Sequence, residues 1–233
     1  MLNGIAAALG QWAKELLKNP TLWVMLVLPA AMAWVVGHAT GASAVLAPLW
    51  LVFAQLMTGL MLASGHWLEE RQQGTWQALR VSPVPIGWLL AAQAALVTVL
   101  TLLSELLVFA LNRAGAPFTP AVLAFMLVGA VFATLLGVLI GVASPSARSG
   151  NLLATLAMLV LFLAAVAGQG VAGGTDLRPI LGWLPSVLTL SAFGAAFSAA
   201  LPSLAELLGL ALWLVALVVA LRLALRRQYA DGR

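Results

Sequence analysis

Long stretches without a charged side chain dominate this chain. Asp, Glu, Lys and Arg are all absent from residues 19–68, 81–104, 114–147, 149–175 and 179–205. Since a transmembrane helix needs about 20 predominantly apolar residues, these stretches are long enough to span a bilayer. The pattern predicts an all-α polytopic membrane protein with six transmembrane helices, at residues 21–37, 45–67, 87–111, 121–143, 151–171 and 206–225. Pro29 interrupts the first of these spans and Gly37 is expected to end it.

Composition excludes the other structural classes. Of the 233 residues, 63% are apolar and 8% are charged, whereas soluble domains carry about 25% charged residues. A soluble globule could not cover its surface, and a disordered chain would not contain so much apolar surface. The apolar runs are continuous rather than alternating, which excludes an outer-membrane barrel. With no cysteine in the chain, thiol chemistry and thiolate metal sites are excluded too.

Basic residues set the predicted orientation. Six spans place the N-terminus, the 68–86 and 144–150 loops and the C-terminus on one side, and that side carries nine of the eleven basic residues. The positive-inside rule then places both termini in the cytoplasm. The net charge of +4 follows from residues that flank membrane helices, so it does not indicate nucleic-acid binding.

Two segments outside the spans are predicted to lie at the membrane surface. Residues 1–19 carry Leu2, Ile5, Leu9, Trp12 and Leu16 at helical spacing, which favours an amphipathic interface helix over an extension of the first span. Residues 172–205 contain apolar pieces that are too short to span. We expect them to form an external re-entrant or interfacial hairpin, which is tolerated where protein buries the irregular backbone.

Few polar side chains fall inside the spans. Glu105 is the one acidic residue deep in a predicted span, and Thr98 and Thr101 share its helical face. Together with Gln55 on span two, they are candidates for the lining of a transport pathway or an outer gate. For Glu105, a structural role in which it pairs with Arg113, Arg178 or a capping amide is favoured over a pathway role.

Small residues also recur along span four. The stripe formed by Thr134, Gly137, Gly141 and Ser144 allows close helix approach. We expect it to serve packing within the subunit rather than a contact between subunits.

A short polar segment separates spans two and three. After Glu70, Gly74 breaks the helix, Thr75 is a plausible N-cap, and Ser82-Pro83 stops a second short helix. That helix would present Trp76, Leu79 and Arg80, an apolar and basic surface that suits docking into the groove of a partner. A membrane-surface loop without a partner is the alternative.

The segment has the form E-x-x-x-G-T-x-x-x-L-x-x-S-P and resembles the signature of type-2 ATP-binding cassette (ABC) exporter permeases. The residues that match are Glu70, Gly74, Thr75, Leu79, Ser82 and Pro83. The resemblance implies that residues 69–85 hold a coupling helix that contacts the ATPase subunit. It also implies an N-terminal interface helix, six spans and a half-helix hairpin before the sixth, all within one permease domain over residues 1–233.

Two features distinguish this chain from parts of that family. Trp76 stands where members more often have an aliphatic residue. The connection at residues 39–44 is too short for a large external insert, so the chain is similar to the minimal bacterial members rather than to the lipid and sterol exporters.

The expected role is export of a hydrophobic or amphipathic small molecule across the bacterial inner membrane. The only lysines are Lys14 and Lys18, and neither follows the glycine-rich loop of a Walker motif. We therefore expect ATP and magnesium on a separate ATPase dimer, no cofactor or metal on this chain, and a second identical or related permease subunit beside it.

A haem- or cofactor-maturation permease is the alternative. His38, at the outer end of span one, and His66, at the inner end of span two, are expected to be ordinary interfacial histidines. A membrane-embedded hydrolase would need paired catalytic groups, and no such pair lies inside the spans.

Overall fold

The computed structural model describes residues 10, 12–14, 17–41, 43–73, 85–112, 118–169 and 178–230. These residues form helices and no strand. The helices are α1 (Pro20–Thr40), α2 (Ser43–Ala54), a π-helical segment (Gln55–Leu60), α3 (Met61–Gln72), α4 (Ile86–Asn112), α5 (Pro120–Ala143), α6 (Ala147–Gly168), α7 (Arg178–Leu181), α8 (Pro185–Phe197) and α9 (Leu204–Ala230). Six helices are long and apolar enough to cross a membrane, which confirms the predicted all-helical, multi-pass architecture.

Five of the six spans are single helices, and the second is composite. Span two is the continuous rod α2–π–α3, and spans one, three, four, five and six are α1, α4, α5, α6 and α9. We call the end of the bundle at residues 20, 72 and 86 the basic end, and the other end the opposite end.

The first span ends later than the sequence suggested. Asn19 caps it by accepting a hydrogen bond from the Thr21 backbone N–H at 2.9 Å, and Pro20 fills the first turn. The helix continues through Gly37, which is buried, and stops before Gly41, whose φ of +66° is left-handed. The expectation that Gly37 closes the span is wrong, because glycine is tolerated inside a buried membrane helix. Gly41 supplies the left-handed residue that terminates it.

The second span forms the centre of the bundle. In the most apolar 18-residue stretch of this span 72% of the residues are buried, compared with 17% in the corresponding stretch of the sixth span. The helix runs on to Gln72, five residues beyond the predicted end, because Trp67 and Leu68 are still fully enclosed at that point. Glu70 and Arg71 therefore lie on the last turn of a helix that is rigidly packed.

Span four lies against span two through its small residues. A side chain on Gly137 would meet the Leu60 carbonyl, and one on Gly141 would lie 2.6 Å from the Trp67 Cβ. This contact confirms that the stripe on span four packs within the subunit.

The short helix α8 is enclosed by the bundle, although it is too short to cross it. Its residues 185–190 are all buried, and it packs against α2, α5, α6 and α9. By contrast, α1, α6 and α9 turn large apolar side chains outward, for example Val35, Val160 and Leu212. Such outward apolar faces are the expected surface of a protein solvated by lipid.

Candidate functional site

Polar side chains from spans two and three meet inside the membrane-spanning part of the bundle. Gln55, Thr58, Thr101, Ser104 and Glu105 are each at most 3% exposed, and together we call them the polar cluster. The cluster contains three of the four predicted pathway residues, and two of these, Gln55 and Glu105, are in direct contact. Polar groups inside the membrane are costly unless they are paired, so each hydrogen bond in the cluster contributes to the stability of the bundle.

The central bond joins Gln55 to Glu105. The Gln55 Nε2 donates to Glu105 Oε1 at 2.6 Å, with both side chains buried. Gly129 of span four makes room for this pair, because a side chain there would occupy the position of the Gln55 amide. Glu105 thus bonds inward to a neutral amide on another span. Arg113 and the Arg178 side chain, its alternative expected partners, lie outside the described residues.

A π-helical segment brings Gln55 and Thr58 to the cluster. Over Gln55–Leu60 the helix is underwound, and the Met61 backbone N–H bonds to the Leu56 carbonyl five residues back. Such segments occur mostly as single turns within α-helices and are frequent at functional sites. Gly59 keeps the turn close to span three, since a Cβ there would lie 3.1 Å from Thr101 Oγ1.

The proline inside span one is tied to the same cluster. Pro29 lacks an N–H, so the Met25 carbonyl one turn earlier loses its helical partner. The Thr58 hydroxyl donates to that carbonyl at 2.8 Å, and the Ser104 hydroxyl donates to the next one, Leu26, at 2.9 Å. Spans one, two and three are therefore joined at the level where both span one and span two depart from regular α-helix.

The cluster is closed, and its hydrogen bonding is incomplete. Glu105 Oε2 has no hydrogen-bond partner among the described residues. No group of three or more His, Asp or Glu side chains that could hold a metal occurs in the described part of the chain. The arrangement joins three helices, and its carboxyl group can take up or release a proton. In this conformation it does not line an open channel.

Thr98 and Thr101 lie in different surroundings, although they share a helix face. Thr101 is fully buried and donates to the Val97 carbonyl at 2.9 Å. Thr98 contacts the Thr134 hydroxyl at 3.4 Å and borders an apolar groove of about 470 Å³ between spans three and four.

Sequence analysis missed Gln93 on the same span. Gln93 is 1% exposed, and neither side-chain polar atom has a hydrogen-bond partner in the described structure. Gln93 lies eight residues before Thr101 and twelve before Glu105. Because these are multiples of the four-residue spacing along one side of a helix, the pattern could have pointed to it.

At the basic end, span two meets the N-terminal region. Residues 10, 12–14 and 17–18 are helical. The Trp12 ring is 5% exposed, and its centroid lies 5.5 Å from that of His66 and 6.3 Å from that of Trp67, both edge-on. His66 Nε2 lies 3.6 Å from Glu70 Oε1, one turn further along α3. His66 thus lies close both to the acidic residue of the sequence motif and to the N-terminal tryptophan.

Arg71 reaches from the same turn to span four. Its Nη1 donates to the Val142 carbonyl at 3.1 Å and, over a shorter distance, to the Ser144 carbonyl. The Gly141 carbonyl lies 3.5 Å away. The side chain therefore caps the C-terminus of α5, where carbonyl groups lack helical donors.

Most of the predicted ATPase-coupling residues are not covered. Gly74, Thr75, Trp76, Leu79, Arg80, Ser82 and Pro83 lie outside the described residues. Glu70 is the described member of that set, and it ends a packed helix rather than standing in a loop.

At the opposite end, Glu206 holds the short helix α8 to the start of span six. Its Oε2 accepts from the Ser203 backbone N–H at 2.7 Å, and Ser203 Oγ accepts from the Glu206 N–H at 3.3 Å, which forms a capping box. Ser191 of α8 donates its hydroxyl to Oε1 of the same carboxylate. A cavity of about 460 Å³ lies beside these residues, and the hydrogen bonds give Glu206 a structural role.

The comparisons with known proteins identify no family. No protein-family model matches the chain, and a search of curated proteins finds no significant match.

Proposed function

We propose that this chain is the membrane-spanning subunit of a type-2 ABC exporter. It would move a hydrophobic or amphipathic small molecule out of the cytoplasm, while a separate ATPase dimer binds ATP and magnesium. A second permease subunit, identical or related, would complete the pathway. The basic end then faces the cytoplasm of a bacterium, in its inner membrane.

The observation that carries this proposal is the motif between spans two and three. Glu70 lies on the final turn of a helix that is enclosed along most of its length, and the glycine, threonine, leucine and Ser-Pro of the motif follow directly. A force applied to this segment would reach the centre of the bundle, because span two is the most buried span. The Trp12 contact ties the N-terminal region to the same turn.

The polar cluster supports a moving permease. A buried carboxyl with an unsatisfied oxygen, a π-helical segment and a proline inside a helix lie together where three spans meet. A membrane protein that only needed rigidity would gain nothing from these irregularities, whereas one that alternates between two states needs places where helices can shift. The cluster is the expected hinge of that movement.

The first test is purification of the tagged chain from its native membrane in mild detergent. We expect a protein with a Walker motif to co-purify in stoichiometric amount and the complex to hydrolyse ATP. A complex that carries haem would favour the cofactor-maturation alternative. A chain that purifies intact without any ATPase contradicts the assignment.

The second test changes the predicted docking surface. Leu79→Asp places a charge where an apolar contact is expected, so the co-purified ATPase should fall at least tenfold, which corresponds to about 1.4 kcal/mol of binding. Leu201→Asp is the matched control, because Leu201 is 91% exposed at the opposite end of the bundle. Both variants should retain wild-type helix content and thermal stability. Equal ATPase recovery from the two variants would exclude this segment as the docking site.

A further inference from the structure

The cavity of about 460 Å³ at the opposite end of the bundle has the size of a small-molecule site. Its walls come from the start of α2, the end of α6, one face of α8 and the start of α9. Pockets that hold drug-sized ligands have volumes of about 300–1,000 Å³. Because spans two, five and six all contribute, the cavity exists only in the folded bundle.

Close helix contacts set the position of the α8 wall. Val187 lies against Gly168 of α6, where a Cβ would be 3.0 Å from Val187 Cγ1. Leu188 lies against Gly209 of α9, where a Cβ would be 2.8 Å from Leu188 Cδ1. Both glycines let α8 approach its neighbours closely, so packing has already shaped the cavity before any ligand enters.

The cavity lining is mostly apolar and carries few polar groups. Val45 and Leu190 are among the apolar side chains, and Gln169 and Ser191 add neutral polar groups. Among the described lining residues, Glu206 is the only ionisable one. Apolar walls with a small number of polar groups that fix orientation are typical of small-molecule sites.

The negative charge of Glu206 is not balanced within the described structure. Both carboxylate oxygens accept hydrogen bonds, Oε2 from the Ser203 backbone N–H and Oε1 from the Ser191 hydroxyl. These donors are neutral, and no basic side chain of the described residues forms an ion pair with Glu206. Ionisable groups inside membrane spans are rare and commonly mark substrate or ion sites. The carboxylate can therefore still receive a cation.

We propose that this cavity binds a cationic amphipathic small molecule. The apolar part of the ligand lies against Val45 and Leu190, and its positive charge lies beside Glu206. Val45 is 74% exposed and Glu206 is half-buried, so a ligand can enter from outside the bundle. The carboxylate attracts a cation and repels an anion of the same shape. The role of the site in holding exported cargo on the outer side rests on the proposed function.

Two variants separate the charge of the site from its space. Glu206→Gln removes the negative charge and keeps the capping box, because glutamine serves at this position as glutamate does. Gly194→Leu fills the cavity, because Gly194 lines it and a Cβ there meets nothing within 4 Å. Gly87→Leu is the matched control: this exposed glycine lies at the basic end, and its Cβ would also meet nothing within 4 Å.

The test is equilibrium binding to the purified full-length chain, with any subunits that accompany it, in phosphatidylcholine nanodiscs. Tetraphenylphosphonium is the probe, and tetraphenylborate is an anion of nearly the same shape. Empty nanodiscs measure the uptake of each ion by lipid, which is subtracted. We expect the unmodified chain to bind tetraphenylphosphonium saturably, with one ion per chain, and to show no saturable binding of tetraphenylborate.

The variants should change this binding in different ways. Glu206→Gln should weaken tetraphenylphosphonium binding by at least about tenfold, because the charge contact is lost. Gly194→Leu should abolish the binding, and Gly87→Leu should leave it unchanged. All three variants should keep the helix content of the unmodified chain, measured by circular dichroism.

Several outcomes would overturn the proposal. The first is an unmodified chain that binds no tetraphenylphosphonium saturably, or that binds tetraphenylborate equally well. The others are tetraphenylphosphonium binding that Glu206→Gln leaves unchanged, and binding that survives Gly194→Leu. Failure of the proposed function looks different: no ATPase co-purifies, while tetraphenylphosphonium binding and its dependence on Glu206 and Gly194 persist.

Discussion

Two buried glutamines provide a sharp test of the polar cluster. Gln55 and Gln93 are 3% and 1% exposed, so replacing either with leucine exchanges side chains of similar size in a closed interior. Their hydrogen bonding differs. Gln55 donates to Glu105 at 2.6 Å, whereas neither polar atom of the Gln93 side chain has a partner in the described structure.

The magnitudes follow from that difference. Gln55→Leu removes one interhelical hydrogen bond, which averages about 0.6 kcal/mol in membrane proteins and reaches about 1.7 kcal/mol. It also leaves the Glu105 carboxyl without its described partner, so the total loss in the free energy of unfolding should be about 1–3 kcal/mol. Gln93→Leu instead removes two unsatisfied buried atoms and should raise the free energy of unfolding by about 1 kcal/mol. The same substitution should have opposite signs at the two positions.

The assay is equilibrium unfolding in mixed micelles with increasing sodium dodecyl sulfate, followed by tryptophan fluorescence and circular dichroism. Gln55→Leu combined with Glu105→Leu should recover most of the loss, because both partners are then apolar. If Gln55→Leu and Gln93→Leu destabilise the chain equally, burial rather than hydrogen bonding governs these positions, and the reasoning fails.

Two further predictions concern the backbone around the cluster, and the same unfolding assay measures both. Thr58→Val should lower the free energy of unfolding by about 1–3 kcal/mol, because it removes the only described donor to the Met25 carbonyl. This loss should be smaller in a Pro29→Ala background, where the restored backbone N–H bonds to that carbonyl. An unchanged cost there would show that Thr58 acts through another contact. Gly137→Ala should lower the free energy of unfolding by about 1–3 kcal/mol, because the added methyl group overpacks against span two. Gly65→Ala should raise it by up to about 1 kcal/mol, because nothing lies within 4 Å of a Cβ at that position. Changes of the same sign in the two variants would contradict the close approach at Gly137.

The sequence was sufficient for the number of long apolar helices that could span a membrane. Charged residues cannot be placed cheaply in hydrocarbon, so charge-free runs mark the spans directly. Boundaries were less accurate, because they depend on packing: Gly37 continues the first helix, and the second continues to Gln72 because Trp67 and Leu68 are still enclosed.

The candidate site was only partly predictable. Gln55 and Glu105 stood out as rare polar residues in apolar spans, yet 50 positions separate them, and no local pattern says that they touch. Gln93 was overlooked because its spacing to Thr101 and Glu105 indicates only a shared side of the helix, whereas its burial depends on whether that side of span three turns inward.

By itself, the sequence determined that this protein is solvated by lipid, that it has six apolar spans and that a short polar motif lies between the second and third. These are properties of local composition, and they hold whatever the helices pack against. Only the tertiary structure decided that Pro29, the π-helical segment and Glu105 meet at one level, and that Arg71 caps a helix two spans away. The physical reason is that hydrogen-bond partners and close approaches are set by helix rotation and register, which arise from packing among the spans.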